Sequence, residues 1–332
     1  MIAINKSRRR LLKIVGVATV GAIVGKSFVT FKDKTELQKV TWNGTALGSQ
    51  AEITIYHPSE KEAHKILTKS VEELTGLENL FSLYKDSSQL SLLNKKGYLE
   101  NPHPEMVNIF NLSKKYSEMT NGAFDVTVQP LWNIYNKSFT DLGKPPLNTQ
   151  ISDALKLVDW KSIKVEKTKI SYEIEGMSST LNGIAQGYIT DKIAESLINS
   201  GISNTLVQLG EYRGVGDHPE GRPWRLLISN PEHTNSIGEV EFTDAAVATS
   251  AGLGTPFDLS GKYHHIFNPE SGYNDNEYLQ VSVISKTAAE ADALATAFLI
   301  MNPKKSEALA KNLKVGFEVL NNQRKRIIIT KA

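Results

Sequence analysis

The sequence predicts an α+β fold in which mixed sheets pack against helices. Residues 40–56 alternate as two strands joined by a turn, and residues 59–79 carry apolar side chains at helical spacing. Residues 281–301 predict a strand that runs directly into a helix, and residues 316–330 predict a hairpin. Together, these strand and helix patterns predict sheets and helices in one chain.

Length and composition describe a soluble globular protein. The chain has 332 residues, of which 40% are hydrophobic and 22% charged, so it can form one large domain or two. It contains no cysteine, which excludes disulfides, thiolate catalysis and thiolate metal sites.

Residues 1–30 resemble a twin-arginine export signal. Arg8, Arg9 and Arg10 precede a leucine pair, and a short apolar run follows over 14–24 that is too short to predict a membrane span. We therefore expect a signal over 1–30, a linker over 31–39, and a periplasmic protein. No clean small-x-small cleavage site follows, so the segment is either cleaved or retained as a membrane anchor.

The positive charge of the chain belongs to this segment. The whole chain carries +2, but residues 1–30 hold six Lys or Arg and no acid, so the remainder carries −4. An acidic remainder gives no electrostatic support to nucleic-acid binding. We expect no nucleic-acid partner, and membrane association only through an uncleaved N-terminal segment.

The middle of the chain predicts further elements. A helix should begin near Pro104 and end at Asn121-Gly122, and residues 163–174 should form a hairpin. Residues 131–160 look like loop. A helix over 189–200 should follow Gly183 and Gly187, whose amides could face an anionic ligand. Strands are expected over 205–210 and 224–228.

The helix after residue 286 carries two polar side chains on an apolar background. Thr287 and Glu290 have capping-box spacing, and Asp292 and Thr296, four residues apart, share one helix face. An oxygen-lined pair suits a hard cation such as Mg²⁺. Alternatively, Asp292 pairs with a Lys or Arg and Thr296 bonds to its own helix. The residues alone leave both interpretations open.

Two other places could serve a ligand. Phe124 and Asp125 follow a helix stop, where they could be core plus cap or could hold a flat ring and its polar edge. His264 and His265 are the only adjacent pair among seven histidines, so no zinc-type cluster is expected.

Four separated segments resemble the ApbE-type FAD:protein FMN transferases. In order, they are 81–84 (Phe-Ser-Leu-Tyr), 122–125 (Gly-Ala-Phe-Asp), 183–188 with Asp191, and 248–250 through 265–266 to 292–296. The resemblance spans roughly residues 40–310. It implies a single two-lobed catalytic domain over 40–332.

The resemblance implies an enzyme that splits FAD, places FMN covalently on a Thr or Ser hydroxyl of a partner flavoprotein with an FMN-binding domain, and releases AMP. The flavin and adenine sites would be lined by Leu47, Tyr84, Ala123, Phe124, Asp125, Gln186 and Ile266. Mg²⁺ would be held by Asp292, Thr296 and backbone oxygens near Gly183 and Ala295. His265 would be the general base, with Asp292 as the second catalytic residue.

The chain also departs from this family pattern. The family usually has Lys where this chain has Gln186, and Asp near the position of Thr180. Gly210-Glu211-Tyr212 stands where the family usually has Gly-Gly-Asp, and Asn268 replaces a common Asp. The signal and residues 210–213 resemble a NosX-like branch that serves periplasmic flavoproteins of nitrous-oxide respiration. The alternatives are an FAD-binding protein or FAD pyrophosphatase without transferase activity, and an exported solute-binding protein.

Overall fold

The computed structural model describes residues 37–232 and 234–331. The export signal and most of the linker lie outside these residues, so those expectations stay predictions. The strands are β1 (Gln38–Ala46), β2 (Ser49–His57), β3 (Tyr98–Glu100), β4 (Ile163–Val165), β5 (Lys169–Tyr172), β6 (Thr205–Gln208), β7 (Tyr212–Val215), β8 (Trp224–Ser229), β9 (Ser236–Phe242), β10 (Ala246–Ala251), β11 (Gln280–Ser285), β12 (Gly316–Leu320) and β13 (Arg326–Thr330). The helices are α1 (Glu60–Phe81), α2 (Gln89–Lys96), α3 (Pro104–Met119), α4 (Gln129–Leu142), α5 (Asn148–Leu155), α6 (Ala185–Asn199), α7 (Ala288–Ile300) and α8 (Pro303–Leu313).

One eight-stranded sheet organises the molecule. Its order is β1-β2-β6-β7-β10-β11-β12-β13, and neighbouring strands pair antiparallel throughout. Smaller antiparallel sheets are formed by β3-β5-β4, which includes the predicted hairpin over 163–174, and by β8-β9. The predicted α+β class is therefore confirmed.

Helix α7 lies against the sheet and against α6. It is apolar on nearly every side, as a helix enclosed by other elements must be. It packs on β10 and β11 as well as on α6. A side chain at Gly187 would collide with the backbone of Ala288, so glycine allows the two helices to approach closely. This contact brings the beginning of α6 to the polar face of α7.

The structure corrects two expectations about the middle of the chain. Residues 131–160 are mostly helical rather than loop, since they contain most of α4 and all of α5. Helix α4 has Pro130 in its first turn and ends before Gly143, which adopts the left-handed conformation. Helix α6 begins at Ala185, not Ile189, so Gly187 lies inside its first turn. None of the helices within the described residues is long and apolar enough to cross a membrane.

Candidate functional site

The beginning of α7 is stabilised by groups from its own turn and from α6. The Thr287 hydroxyl accepts a hydrogen bond from the Glu290 amide at 3.3 Å, as predicted. The Glu290 carboxylate does not complete the capping box, because it accepts the Ser285 hydroxyl instead. Asp191 accepts the amides of Ala288 at 2.8 Å and Ala289 at 2.9 Å. These bonds fix the position of the helix relative to α6.

Asp292 lies one turn further along α7. It is 4% exposed, and its Oδ2 accepts the amide of Gly187 at 3.0 Å. In the described part of the chain, Oδ1 has no hydrogen-bonding partner and no Lys, Arg or His pairs with this carboxylate. Burial, with a smaller contribution from Asp191, raises the pKa of Asp292 to about 7. The alternative in which a basic side chain neutralises Asp292 is therefore not what the structure shows.

Thr296 shares this face of α7. Its hydroxyl lies 3.3 Å from the Ser250 hydroxyl of β10, rather than bonding to its own helix. A Cβ at Gly183 would lie 3.0 Å from Thr296 Oγ1 and 3.3 Å from the Phe124 ring. Gly183, Phe124 and Thr296, which were predicted from three separate segments, are thus brought together.

The donor set at this place suits Mg²⁺. It offers the free oxygen of Asp292, the hydroxyls of Thr296 and Ser250, and backbone oxygens, which are the hard ligands that Mg²⁺ prefers. Ala295, the other predicted source of a backbone oxygen, is buried on the same helix. No group of three His, Asp or Glu side chains converges as a metal cluster within residues 37–232 and 234–331. Any cation here would depend on hydroxyl, carbonyl and water ligands beside the carboxylate.

Glu211 is a buried acid that the sequence analysis gave no role. It is 7% exposed, and its Oε2 accepts the amide of Thr249 at 3.1 Å. Burial, reinforced by the charge of Asp292, raises its pKa well above the usual range. The only sequence signal was an acid placed directly after Gly210 at the end of an apolar strand.

Gln186 is held between α6 and the hairpin of β1 and β2. Its Nε2 donates to the Ser49 hydroxyl at 3.0 Å, and its side chain fills the space beside Gly210, whose φ is +103°. Leu47 lies in the turn that precedes Ser49 and donates its amide to the Glu78 carboxylate. The structure therefore brings Gln186 to the same hairpin as Leu47.

A cavity of about 690 Å³ opens beside Gly183. Its lining includes Tyr84, Asn94, Lys95, Gln129, Trp132 and Asn182, the last being the chain neighbour of Gly183. Tyr84, which is 65% exposed, is the predicted flavin or adenine residue on this wall. The other six predicted residues, Leu47, Ala123, Phe124, Asp125, Gln186 and Ile266, do not line it. The cavity is large enough for a nucleotide-sized ligand.

The contacts of Asp125 are those of a buried cap. Its Oδ1 accepts the Thr127 amide at 2.7 Å and the Thr127 hydroxyl at 2.6 Å, and Oδ2 accepts the Trp160 amide at 3.2 Å. Burial nevertheless raises its pKa to about 6. Phe124 is buried beside it, and Ala123 is half-buried. Of the two interpretations left open above, core plus cap describes these contacts.

The two adjacent histidines have different environments. His264 is buried, and its Nδ1 accepts the Ile266 amide at 3.2 Å, which also fixes the buried Ile266. His265 keeps part of its ring accessible, and its Nδ1 lies 3.3 Å from the Thr255 carbonyl. A carbonyl can only accept, so Nδ1 carries the proton and Nε2 is left as an acceptor. Burial lowers the pKa of His265 to about 4, so the ring is neutral at pH 7.

Comparison with known proteins places these segments in one family. The family profile described as the ApbE family matches residues 47–320. The chain is 28% identical to a FAD:protein FMN transferase of Vibrio cholerae over 286 residues, which cover 82% of this chain and 85% of that relative. It is also 28% identical to a FAD:protein FMN transferase of Escherichia coli over 295 residues, covering 84% and 83%.

Solved structures agree with the sequence comparison. The flavin transferase ApbE from Vibrio cholerae superposes with a TM-score of 0.77 at 25% identity, covering 88% of this chain and 97% of that one. The apo form of the Pseudomonas stutzeri flavinyl transferase ApbE gives a TM-score of 0.76 at 25% identity, covering 90% and 96%. The chain therefore belongs to the ApbE family.

Proposed function

We propose that this enzyme transfers FMN from FAD to a Thr or Ser hydroxyl of an acceptor protein, with Mg²⁺ bound at Asp292 and Thr296, and releases AMP. Its place in the ApbE family, whose relatives are named for flavin transfer to proteins, supports the reaction class. The observation that carries the site is the buried Asp292 carboxylate, which has no basic partner in the described chain and shares one face of α7 with Thr296.

The proposed reaction is a displacement at phosphorus. The acceptor hydroxyl oxygen forms a bond to the phosphorus of the FMN half, and the bond from that phosphorus to the bridging oxygen of the pyrophosphate breaks, so AMP leaves. When bound, Mg²⁺ offsets the negative charge that the pyrophosphate carries and that shifts to the leaving AMP. Asp292 and Thr296 would hold the ion. The hydroxyl is a weak nucleophile, so its proton must be accepted as the new bond forms.

His265 is the base in this proposal. Its neutral ring has Nε2 as an acceptor, because Nδ1 is directed at the Thr255 carbonyl. The neutral ring offers Nε2 to the hydroxyl proton, and negative charge of the bound substrate would raise the pKa of the ring towards the range that suits a general base. Gln186 contributes polarity without charge, and its bond to Ser49 holds it at the hairpin that carries Leu47. Charge neutralisation therefore depends on the cation rather than on residue 186.

The location and the partner are also part of the proposal. The twin-arginine-like segment supports export to the periplasm, as a cleaved signal or as an anchor. The acceptor would be a periplasmic flavoprotein with an FMN-binding domain, in a NosX-like branch linked to nitrous-oxide respiration. Residues 1–30, the basis of this assignment, lie outside the described residues.

The test combines the protein lacking residues 1–30, FAD, Mg²⁺ and a periplasmic FMN-binding domain that carries an acceptor threonine. Mass spectrometry should show FMN added to the acceptor, and EDTA should abolish the addition. Release of AMP and FMN without modified acceptor would instead indicate a pyrophosphatase. Tight FAD binding with neither product would indicate a binding protein.

A further inference from the structure

Glu211 is a buried carboxylate that the mechanism above does not use. It lies between β6 and β7, with Oε2 bonded to the Thr249 amide of β10. Within the described chain, Oε1 has no hydrogen-bonding partner and no basic side chain forms an ion pair with this residue. A charged group this far from water is costly unless another charge or several hydrogen bonds offset it.

Three elements place Glu211 beside the proposed cation site. Gln186 of α6 packs over Gly210, and the next residue, Gly187, donates its amide to Asp292. On the other side, Thr249 binds Glu211 and precedes Ser250, whose hydroxyl lies 3.3 Å from that of Thr296. Glu211 is thus connected to Asp292 through Gly210, Gln186 and Gly187, and to Thr296 through Thr249 and Ser250.

Asp292 and Glu211 cannot both carry a negative charge at this place unless a cation offsets it. Asp292 and Glu211 are both more than nine-tenths buried. They are close enough for the charge of Asp292 to act on the Glu211 carboxyl. Two buried carboxylates repel each other in surroundings of low polarity. A divalent cation would neutralise both, whereas Asp292 alone would leave one positive charge over.

We propose that Glu211 is a positioning residue of the divalent-cation site, where its negative charge adds to that of Asp292 and orders the water ligands of the cation. This inference rests on the Mg²⁺ site of the proposed function. Mg²⁺ keeps several waters when it binds to proteins, and such waters need acceptors. The free Oε1 of Glu211 is an acceptor of this kind, and the bond from Thr249 fixes its direction.

The test measures binding of Mn²⁺, an EPR-visible substitute for Mg²⁺, to the full-length chain and to the variants Glu211→Gln and Glu211→Asp. Gln keeps an oxygen for the Thr249 amide but removes the charge. We expect Glu211→Gln to weaken Mn²⁺ binding by about 10–100-fold, the range seen when outer-shell partners are removed. Glu211→Asp should bind within a few-fold of the parent, because it retains the charge.

Thermal unfolding without metal gives a second readout. Gln keeps the oxygen that accepts the Thr249 amide, so removing the charge of Glu211 should cost no stability in the metal-free protein if that charge serves a cation. We expect metal-free Glu211→Gln to melt at or above the temperature of the parent, and to gain less from added Mg²⁺. Glu318→Gln is the matched control, because Glu318 is 5% exposed but pairs with Arg326 at 2.6 Å. It should lose stability and keep the Mn²⁺ affinity.

The outcomes separate this inference from the proposed function. If Glu211→Gln binds Mn²⁺ as the parent does, or if Glu211→Asp is weakened tenfold or more, the role of the charge is wrong. If Glu211→Gln does not fold, the Mn²⁺ affinity of Glu211→Asp decides, and a loss of tenfold or more contradicts the role of the charge. If the parent binds no better than Asp292→Asn, the metal site of the proposed function is itself wrong.

Discussion

Asp191 and Asp292 are two acids at the same interface between α6 and α7, the first largely and the second fully enclosed, yet they are partnered differently. Asp191 accepts the amides of Ala288 and Ala289 and has Arg213 at 3.9 Å. Asp292 accepts the Gly187 amide and, within the described residues, no other group. Burial raises the pKa of both, to about 6 for Asp191 and about 7 for Asp292. The first acid is satisfied by the fold, and the second retains capacity for a ligand.

Helix geometry explains the difference. The first amides of a helix have no partner within it, so the beginning of α7 offers Asp191 two donors and a favourable dipole. Asp292 lies inside α7, where the amides are already used by the helix. Its single donor must come from α6, and it comes from Gly187 because glycine permits the close approach. Asp191 is structural because it meets the first turn of α7, where free amides are available, whereas Asp292 lies further along that helix.

The largest effect should follow from removing the charge of the second acid. Asp292→Asn keeps an oxygen for the Gly187 amide, so the fold and the metal-free stability should be retained. FMN transfer should fall by about a hundredfold or more, because a bound cation supplies several kcal/mol of transition-state stabilisation. Single-turnover transfer with Mg²⁺ measures the change. Parent-like transfer by this variant would show that Asp292 does not hold the cation.

The first acid should show the opposite pattern. Asp191→Ala leaves two amides at the beginning of α7 without their acceptor, so the free energy of unfolding should fall by about 2 kcal/mol. The folded protein should keep the Mn²⁺ affinity of the parent. Urea unfolding together with Mn²⁺ titration measures both quantities. A variant as stable as the parent, or one that has lost Mn²⁺ binding, would contradict a purely structural role.

Gly183 allows the site to be altered beside Thr296. In Gly183→Ala the new Cβ would approach Thr296 Oγ1 at 3.0 Å and must displace it. We expect Mn²⁺ affinity to fall by about tenfold, comparable to other losses of ligand support. Gly76→Ala, on α1 with no atom near the new Cβ, is the control. It should leave binding unchanged and raise stability by up to about 1 kcal/mol, since alanine favours helix.

The sequence predicted the elements whose side chains follow a local period. The strand into α7, the hairpin of β1 and β2, and the hairpin of β12 and β13 all have such a period, and the structure confirms them. Helices α4 and α5 were missed because their buried residues, such as Leu131 and Tyr135, pack against Phe257 and Phe267 from a distant segment. Without that partner, Pro145-Pro146 and the polar residues around it indicate loop.

The site was also predictable only where its residues follow a local spacing. Asp292 and Thr296 could be paired because four residues on one helix define a shared face. The meeting of Gly183, Phe124 and Thr296 depends on the packing of three segments, which only a family resemblance suggested beforehand. The position of Glu211 after Gly210 gave no sign of its burial beside Asp292, because that burial depends on strands and helices that are distant in sequence.

The effect that is smallest at pH 7 concerns His264, a buried residue that, like Asp191, is satisfied by the fold. His264 is satisfied by the fold, and burial lowers its pKa to about 4 from an ordinary value of 6.5, so the folded state favours the neutral ring. The unfolded chain takes up this proton first as the pH falls. The stability contribution is therefore complete above about pH 6.5 and is lost progressively towards pH 4.

In His264→Asn the unfolding free energy should decline less steeply over this range, by up to about 1.4 kcal/mol per pH unit. Urea unfolding from pH 7.5 to 4.5 measures the two slopes. Equal slopes would mean that His264 takes up its proton equally in both states, and that its buried hydrogen bonds do not hold the ring neutral.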